Sequence, residues 1–237
     1  MNLLAIETAT ERLSAALLAN GKIHERHTDS RSAHCELLSG FIEELRVEAG
    51  IALSDIEGVA VSLGPGSFTG LRIGIATAMG LAYGLGIKAV GVNTLMALAW
   101  NTAQPQTLVC PLIDAKRSEV YTAVYRMGTN CDTDIPKIVL APTAIPVPTL
   151  AGILETLQEP VTVTGPATVQ FSNDLERTGE ARLSFIPQES SKPTAAAIVR
   201  LGSLLFRLGE DVNPAALKPI YLRRSDAEIL RDARRKS

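Results

Sequence analysis

The sequence predicts a two-lobed α/β protein built by duplication. Three observations carry that prediction. Short apolar or alternating runs, bounded by turn residues, are interleaved with longer stretches of helical periodicity. The first hundred residues read β-β-β-α-β-α-β-α. The pattern then restarts: residues 6–17 align without a gap on residues 113–124, so Glu7 falls on Asp114, each at the end of a strand and before a polar turn. The division falls in the polar segment around Pro105, giving lobes of residues 1–103 and 104–237.

The elements follow in order. Residues 3–6 form an apolar strand ending in the polar turn Glu7-Thr8-Ala9-Thr10. Residues 13–18 and 22–28 are strands joined by the hairpin signal Asn20-Gly21. Residues 32–49 carry Leu37, Leu38, Phe41, Ile42 and Leu45 at helical spacing, with Gly50 as the stop. Residues 59–63 are a buried strand, followed by the glycine turn Gly64-Pro65-Gly66-Ser67. A helix starts near Thr69, and between Gly70 and Ile87 its only charge is Arg72. A helix without a polar face must be covered on all sides. Residues 88–92 and 94–100 give a strand and a short helix. The second half shows strands at 108–113, 119–126 and 137–140, then a proline-rich stretch at 141–148. A helix at 149–157, a strand at 161–164 and a long helix at 194–208 complete it.

Composition bounds the function. At 237 residues, 46% hydrophobic and with a net charge of −2, the chain is globular and lacks the basic balance of an independent nucleic-acid-binding domain. Cys35, Cys110 and Cys131 form no CxxC pair, which suits a reducing compartment with free thiols. Glu7 interrupts the N-terminal apolar stretch and no basic region precedes it, so no signal peptide is expected. The uncharged run 89–113 is broken by Asn93, Asn101, Gln104, Pro105 and Gln106, so it is not expected to span a membrane. The expectation is a soluble, cytoplasmic protein.

Two lobes of βββαβα pattern, each with a carboxylate closing its first strand, are the layout of the actin, Hsp70 and sugar-kinase (ASKHA) superfamily. Three segments narrow the resemblance: Leu4-Ala5-Ile6-Glu7-Thr8-Ala9, Gly64-Pro65-Gly66-Ser67-Phe68-Thr69-Gly70-Leu71-Arg72-Ile73-Gly74, and Pro219-Ile220-Tyr221-Leu222-Arg223. They resemble the TsaB (YeaZ) family, with glutamate at position 7 where that family more often carries aspartate. The resemblance implies a non-catalytic relative of TsaD. Such a protein pairs with a TsaD-type protein and, with a TsaE-type ATPase, supports threonylcarbamoylation of adenosine 37 (t6A) in tRNAs reading codons that begin with A. In that arrangement TsaD holds the metal and performs the transfer, and tRNA meets the present chain only through the complex.

The candidate sites weigh unequally. His24 and His27 lie three apart on a strand, hence on opposite faces, and with His34 they make no chelating motif, so no metal is expected. No GxSxG elbow is present, and Cys110 sits in a buried strand. Glu7 and Asp114, with the Gly64 and Gly66 turn, are the weak candidates for a nucleotide site, because related kinases place metal-nucleotide carboxylates there. The turn lacks the lysine and hydroxyl of a phosphate loop, and Thr164-Gly165-Pro166-Ala167 is a poor adenosine loop. The chain itself is expected to need no cofactor, with any ATP or ADP held at the interface of a complex. The alternatives are an active ASKHA-type phosphotransferase or ATPase using Glu7 and Asp114, and a glycopeptidase-like hydrolase. The tail residues Arg223, Arg224, Arg231, Arg234, Arg235 and Lys236 exceed Asp226, Glu228 and Asp232 by three charges, a solvated end or a point of contact with tRNA.

The partner-binding candidates lie on the apolar helix. At about 100° per residue, Gly70, Gly74, Thr77, Leu81 and Gly84 share one stripe, flanked by Ile73, Ala78 and Gly80. This small apolar surface is expected to receive a helix of a TsaD-type protein, or of a second copy when the chain is alone. Leucine at Gly74 or Gly84 is then expected to abolish pairing and spare the fold.

Overall fold

The computed structural model describes residues 1–29, 34–102, 104–130, 133–176 and 182–223. The first half contains β1 (Leu3–Glu7), β2 (Leu13–Ala19), β3 (Lys22–Thr28), α1 (His34–Ala49), β4 (Gly58–Gly64), α2 (Phe68–Leu85), β5 (Lys88–Asn93) and α3 (Thr94–Asn101). The second contains β6 (Leu108–Lys116), β7 (Glu119–Arg126), β8 (Lys137–Pro146), α4 (Val147–Thr156), β9 (Val161–Thr164), α5 (Thr168–Glu176), β10 (Leu183–Phe185) and α6 (Ala195–Arg207). Each half is therefore βββαβαβα, the order read for the first hundred residues and a strand and a helix longer than the shared βββαβα unit. The sheets repeat the same order, β3-β2-β1-β4-β5 and β8-β7-β6-β9-β10. In both, the first three strands are antiparallel and the last two run parallel to the central one. This is the two-lobed ASKHA architecture.

The duplication slips at one place. Glu7 pairs with Ser14, so the gapless alignment would set Asp114 opposite Tyr121, whereas Asp114 pairs with Val120. The second hairpin is tighter. Its turn residues Lys116, Arg117 and Ser118 all adopt left-handed backbone angles, φ 66°, 55° and 61°, a conformation unfavourable for residues with a Cβ.

Strand β1 is buried along its whole length because both of its faces are covered. Leu4 and Ile6 point to a layer of α1 and α2 that includes Leu38, Ile42, Leu45, Leu71, Ile75 and Ala82. Leu3 and Ala5 point to Val199, Leu201 and Leu204 of α6. The second sheet is covered on one side by α4 and α5, through Leu150, Leu154 and Phe171. Its other face packs on Leu95, Leu98 and Ala99 of α3. α6 thus packs on the first sheet, while α3 lies between the two, with Leu95, Leu98 and Ala99 toward the second sheet and Ala97 and Trp100 toward the first. The two sheets lie on either side of residues 103/104, and α6, inside the segment 104–237, packs on the first sheet. Its Gly202 lies against Ala60, where a Cβ would collide with that methyl group.

Two other expectations need correction. The proline-rich stretch is strand, since β8 runs on to Pro146 as the outer strand of its sheet. Pro142 falls where the register with β7 shifts, so no ladder hydrogen bond is lost. α5 and β10 were not anticipated.

Candidate functional site

Two regions qualify: the cleft between the lobes and the outer face of α2. The cleft has a volume of about 790 Å³ and is lined from one lobe by Ala9, Thr10, Arg12, Gly66, Ser67 and Gly70, and from the other by Asp114, Lys116, Tyr121, Pro166 and Gln170. Its charged side chains are Glu11, Arg12, Asp29, Asp114, Lys116 and Lys192, three of each sign. They are locked together. Arg12 Nε lies 2.9 Å from Asp29 Oδ1, and Lys192 Nζ lies 2.9 Å from Asp29 Oδ2. These two cations hold the Asp29 carboxyl far below the usual carboxylate range. Lys116 Nζ donates to Asp114 Oδ2 at 2.6 Å, and the Lys116 amide donates to Asp114 Oδ1 at 2.8 Å. A site for a triphosphate normally offers excess positive charge; this cleft is balanced.

The structure brings Gly66 and Asp114 to the cleft wall but not Glu7 or Gly64. Glu7 is fully buried. Its Oε1 accepts from the Ala9 amide at 2.5 Å, while Oε2 has no hydrogen-bond partner. Burial pushes this carboxyl up to about 7, against the opposing pull of the Ala9 amide and the nearby Ser62 hydroxyl, which itself lies outside good hydrogen-bond geometry. Gly64 has φ 104° at the end of β4 and packs against Leu71 and the Ile220 carbonyl. Gly165, at φ 112°, takes the matching place at the end of β9. Gly66 lies against the Ala9 carbonyl, which accepts from the Ser67 amide at 2.7 Å. The Ser67 hydroxyl in turn caps α2 by accepting from the Gly70 amide at 3.2 Å. The glycine turn is therefore folded onto its own lobe.

Cys110 is buried against the Thr122 hydroxyl, and burial pushes its thiol up to about 12, which keeps it unreactive at neutral pH. Among the described residues, no three His, Cys, Asp or Glu side chains are grouped to hold a metal ion. Cys131 and the tail beyond Arg223 lie outside the described residues.

The stripe assigned to α2 divides. Gly70, Gly74 and Ala78 are buried with Leu71, Ile75 and Ala82. Gly70 lies against the Thr8 carbonyl and Gly74 against the Thr8 hydroxyl, with no room for a Cβ at either. Ile73, Thr77 and Leu81 are half-buried, Ile73 at the edge of the cleft; Gly84 is exposed. The outward face is instead Phe68, Arg72, Ala76, Gly80, Tyr83 and Gly84. Phe68 stacks on Tyr221 with ring centroids 5.4 Å apart, and the Arg72 guanidinium stands 3.9 Å from the Phe68 centroid. Neither Gly80 nor Gly84 has a neighbour where a Cβ would point. Spacing of three and four residues from Arg72 was the available signal for this face; Tyr221, distant in sequence, gave none.

The family described as TsaD, tRNA N6-adenosine threonylcarbamoyltransferase, matches residues 23–229. The tRNA threonylcarbamoyladenosine biosynthesis protein TsaB of Escherichia coli K12 is 39% identical over 132 residues, 55% of this chain and 57% of that protein. A solved structure from Pseudomonas aeruginosa, described as an uncharacterized protein with similarity to peptidase YEAZ, superposes with a TM-score of 0.80 at 27% identity. That match covers 94% of this chain and 99% of the other. The chain belongs to the TsaB (YeaZ) branch of this family. Its match to E. coli TsaB spans little more than half of that protein. An uncharacterized protein of Mycobacterium tuberculosis H37Rv is 33% identical over 231 residues, 96% of this TsaB-family chain and 94% of the relative. The family likeness therefore runs through both lobes.

Proposed function

We infer that this chain serves tRNA threonylcarbamoyladenosine biosynthesis as a partner subunit without catalysis of its own. It pairs with a TsaD-type protein, in a system that also uses a TsaE-type ATPase, and meets tRNA only through that complex. The names carried by its TsaB relatives support the pathway. The observation that carries the partner role is the exposed face of α2. The 18 residues of this helix have a mean hydropathy of 1.2, enough by length and composition to cross a membrane, yet only 33% of them are buried. Six are buried, while Phe68 and Tyr83 remain 43% and 54% exposed with Arg72, Ala76 and Gly80 between them. The small residues Ala76 and Gly80, between Arg72 and Tyr83, admit a second helix at close range. A TsaD-type protein is a relative of this chain by the family match, so its counterpart of α2 is the proposed occupant.

The buried position of Glu7 and the balanced charge of the cleft favour this reading over a phosphotransferase. The test is co-elution of the purified chain with a TsaD-type protein on size-exclusion chromatography. Gly80→Arg, at a position with open space, should abolish pairing while circular dichroism of the isolated chain stays unchanged. A variant that still co-elutes removes the interface.

A further inference from the structure

The segment after α6 touches both lobes. Val212 pairs with Ala89 at the open edge of β5, exchanging both backbone hydrogen bonds at 2.8 and 3.1 Å. Leu217 then enters the core beneath α2. The Ile220 amide donates to the Leu63 carbonyl at 2.7 Å, and Tyr221 lies on Phe68, with Arg72 Nε 3.4 Å from its hydroxyl. These contacts are all with the first lobe. Leu222, the next residue, packs on the core of the second sheet. Arg223 Nη1 donates to the Ala115 carbonyl at 2.6 Å and stands 4.0 Å from Glu119, on the strained β6–β7 hairpin. Two consecutive side chains thus grip opposite lobes.

We propose that residues 209–223 are a latch that fixes the angle between the lobes and, in the same stroke, holds the N-terminal end of the α2 face. A strap anchored at both ends couples them: release at either end costs the anchorage of the other. The strained turn at Lys116–Ser118 is then kept in place by Arg223 from outside its own sheet. Opening of the cleft and loosening of the Phe68–Tyr221 stack become one event. The effect on partner binding rests on the reading of α2 given above; the latch itself does not.

The test uses the full chain and two variants that cut different ends, Arg223→Ala in the second lobe and Tyr221→Ala in the first. Hydrogen–deuterium exchange is followed at residues 63–72 and 114–120. Each variant should speed exchange in both segments, by about fivefold or more. Faster exchange only beside the altered residue, or in neither segment, overturns the latch. Pairing with a TsaD-type protein is measured alongside, and Arg223→Ala should weaken it by about fivefold or more. Unchanged pairing overturns the link to the α2 face while leaving that face as the interface. If the unaltered chain does not pair, the interface reading falls, and the exchange result alone decides the latch.

Discussion

The Thr8 side chain rests on the backbone of Gly74, its hydroxyl standing where a Cβ would be. One turn earlier, Gly70 receives the Thr8 carbonyl oxygen in the same way. The loop after β1 and the first turns of α2 therefore touch backbone to backbone, and glycine there is a requirement of packing.

This contact reverses the expectation that Gly74→Leu spares the fold. Overpacking a filled site costs about 1–3 kcal/mol or more, and here the obstacle is the fully buried Thr8 side chain. Gly74→Leu should lower the urea midpoint or prevent folding. Gly80→Ala, on the outward face, should raise stability by about 0.5–1 kcal/mol, since glycine is a poor interior helix residue. Urea denaturation of the two variants compares them directly; equal stability would refute the assignment of inner and outer faces.

Glu7 should give the protein a recognisable pH profile. Its carboxyl ionises near the ordinary 4.5 when unfolded and at about 7 when buried. Below 4.5 both states hold the proton and the group costs nothing. Between 4.5 and 7 the unfolded chain loses its proton while the folded chain keeps it, so stability falls with rising pH. Above 7 the loss is complete, about 3 kcal/mol at most. Glu7→Gln removes this contribution, so the variant should gain on the parent across that window and be more stable at pH 8. Chemical denaturation at pH 4.5, 6 and 8 measures the difference; a constant difference sinks the argument.

The cleft should not bind nucleotide in the isolated chain. Its three cations already face carboxylates, as with Arg12 and Lys192 on Asp29 and Lys116 on Asp114. A triphosphate would have to displace those ion pairs before gaining its own. Calorimetry with Mg-ATP should therefore show no saturable heat. Tight binding that Asp114→Asn abolishes would restore the phosphotransferase reading.

Much of this was legible from the residues, and the remainder has physical reasons. The span 119–126 was read to the residue because its alternation is regular, and so was 161–164. The last six residues of β8, 141–146, read as a loop because proline marks turns, yet an outer strand tolerates it. α5 carries Phe171 and Leu175 inward but too few apolar positions to announce itself. The destination of α6 was hidden because an apolar stripe states that a helix is covered, not which sheet covers it. The same limit governed α2. Two of its faces are apolar; Gly70 and Gly74 face inward because Thr8 needs their space, and Ala78 is buried in the core one turn on. The true outer stripe includes the single charge, Arg72, which the pattern discounted and which is used over Phe68.

Alone, the chain should form a homodimer through the same face. The outward stripe Arg72, Ala76, Gly80, Tyr83 repeats every three to four residues, so two copies related by a twofold axis can lay these helices side by side. Small residues at 76 and 80 permit close approach, and the net charge of −2 per chain adds little repulsion. Light scattering across a concentration series should show the mass rising toward twice 25.2 kDa. Gly80→Arg should raise the dimer dissociation constant at least about tenfold, roughly 1.4 kcal/mol, because the long charged side chain would be buried against its own symmetry mate. A dimer that tolerates this substitution uses another surface, and a chain that stays monomeric at high concentration shows the face to be reserved for a different partner.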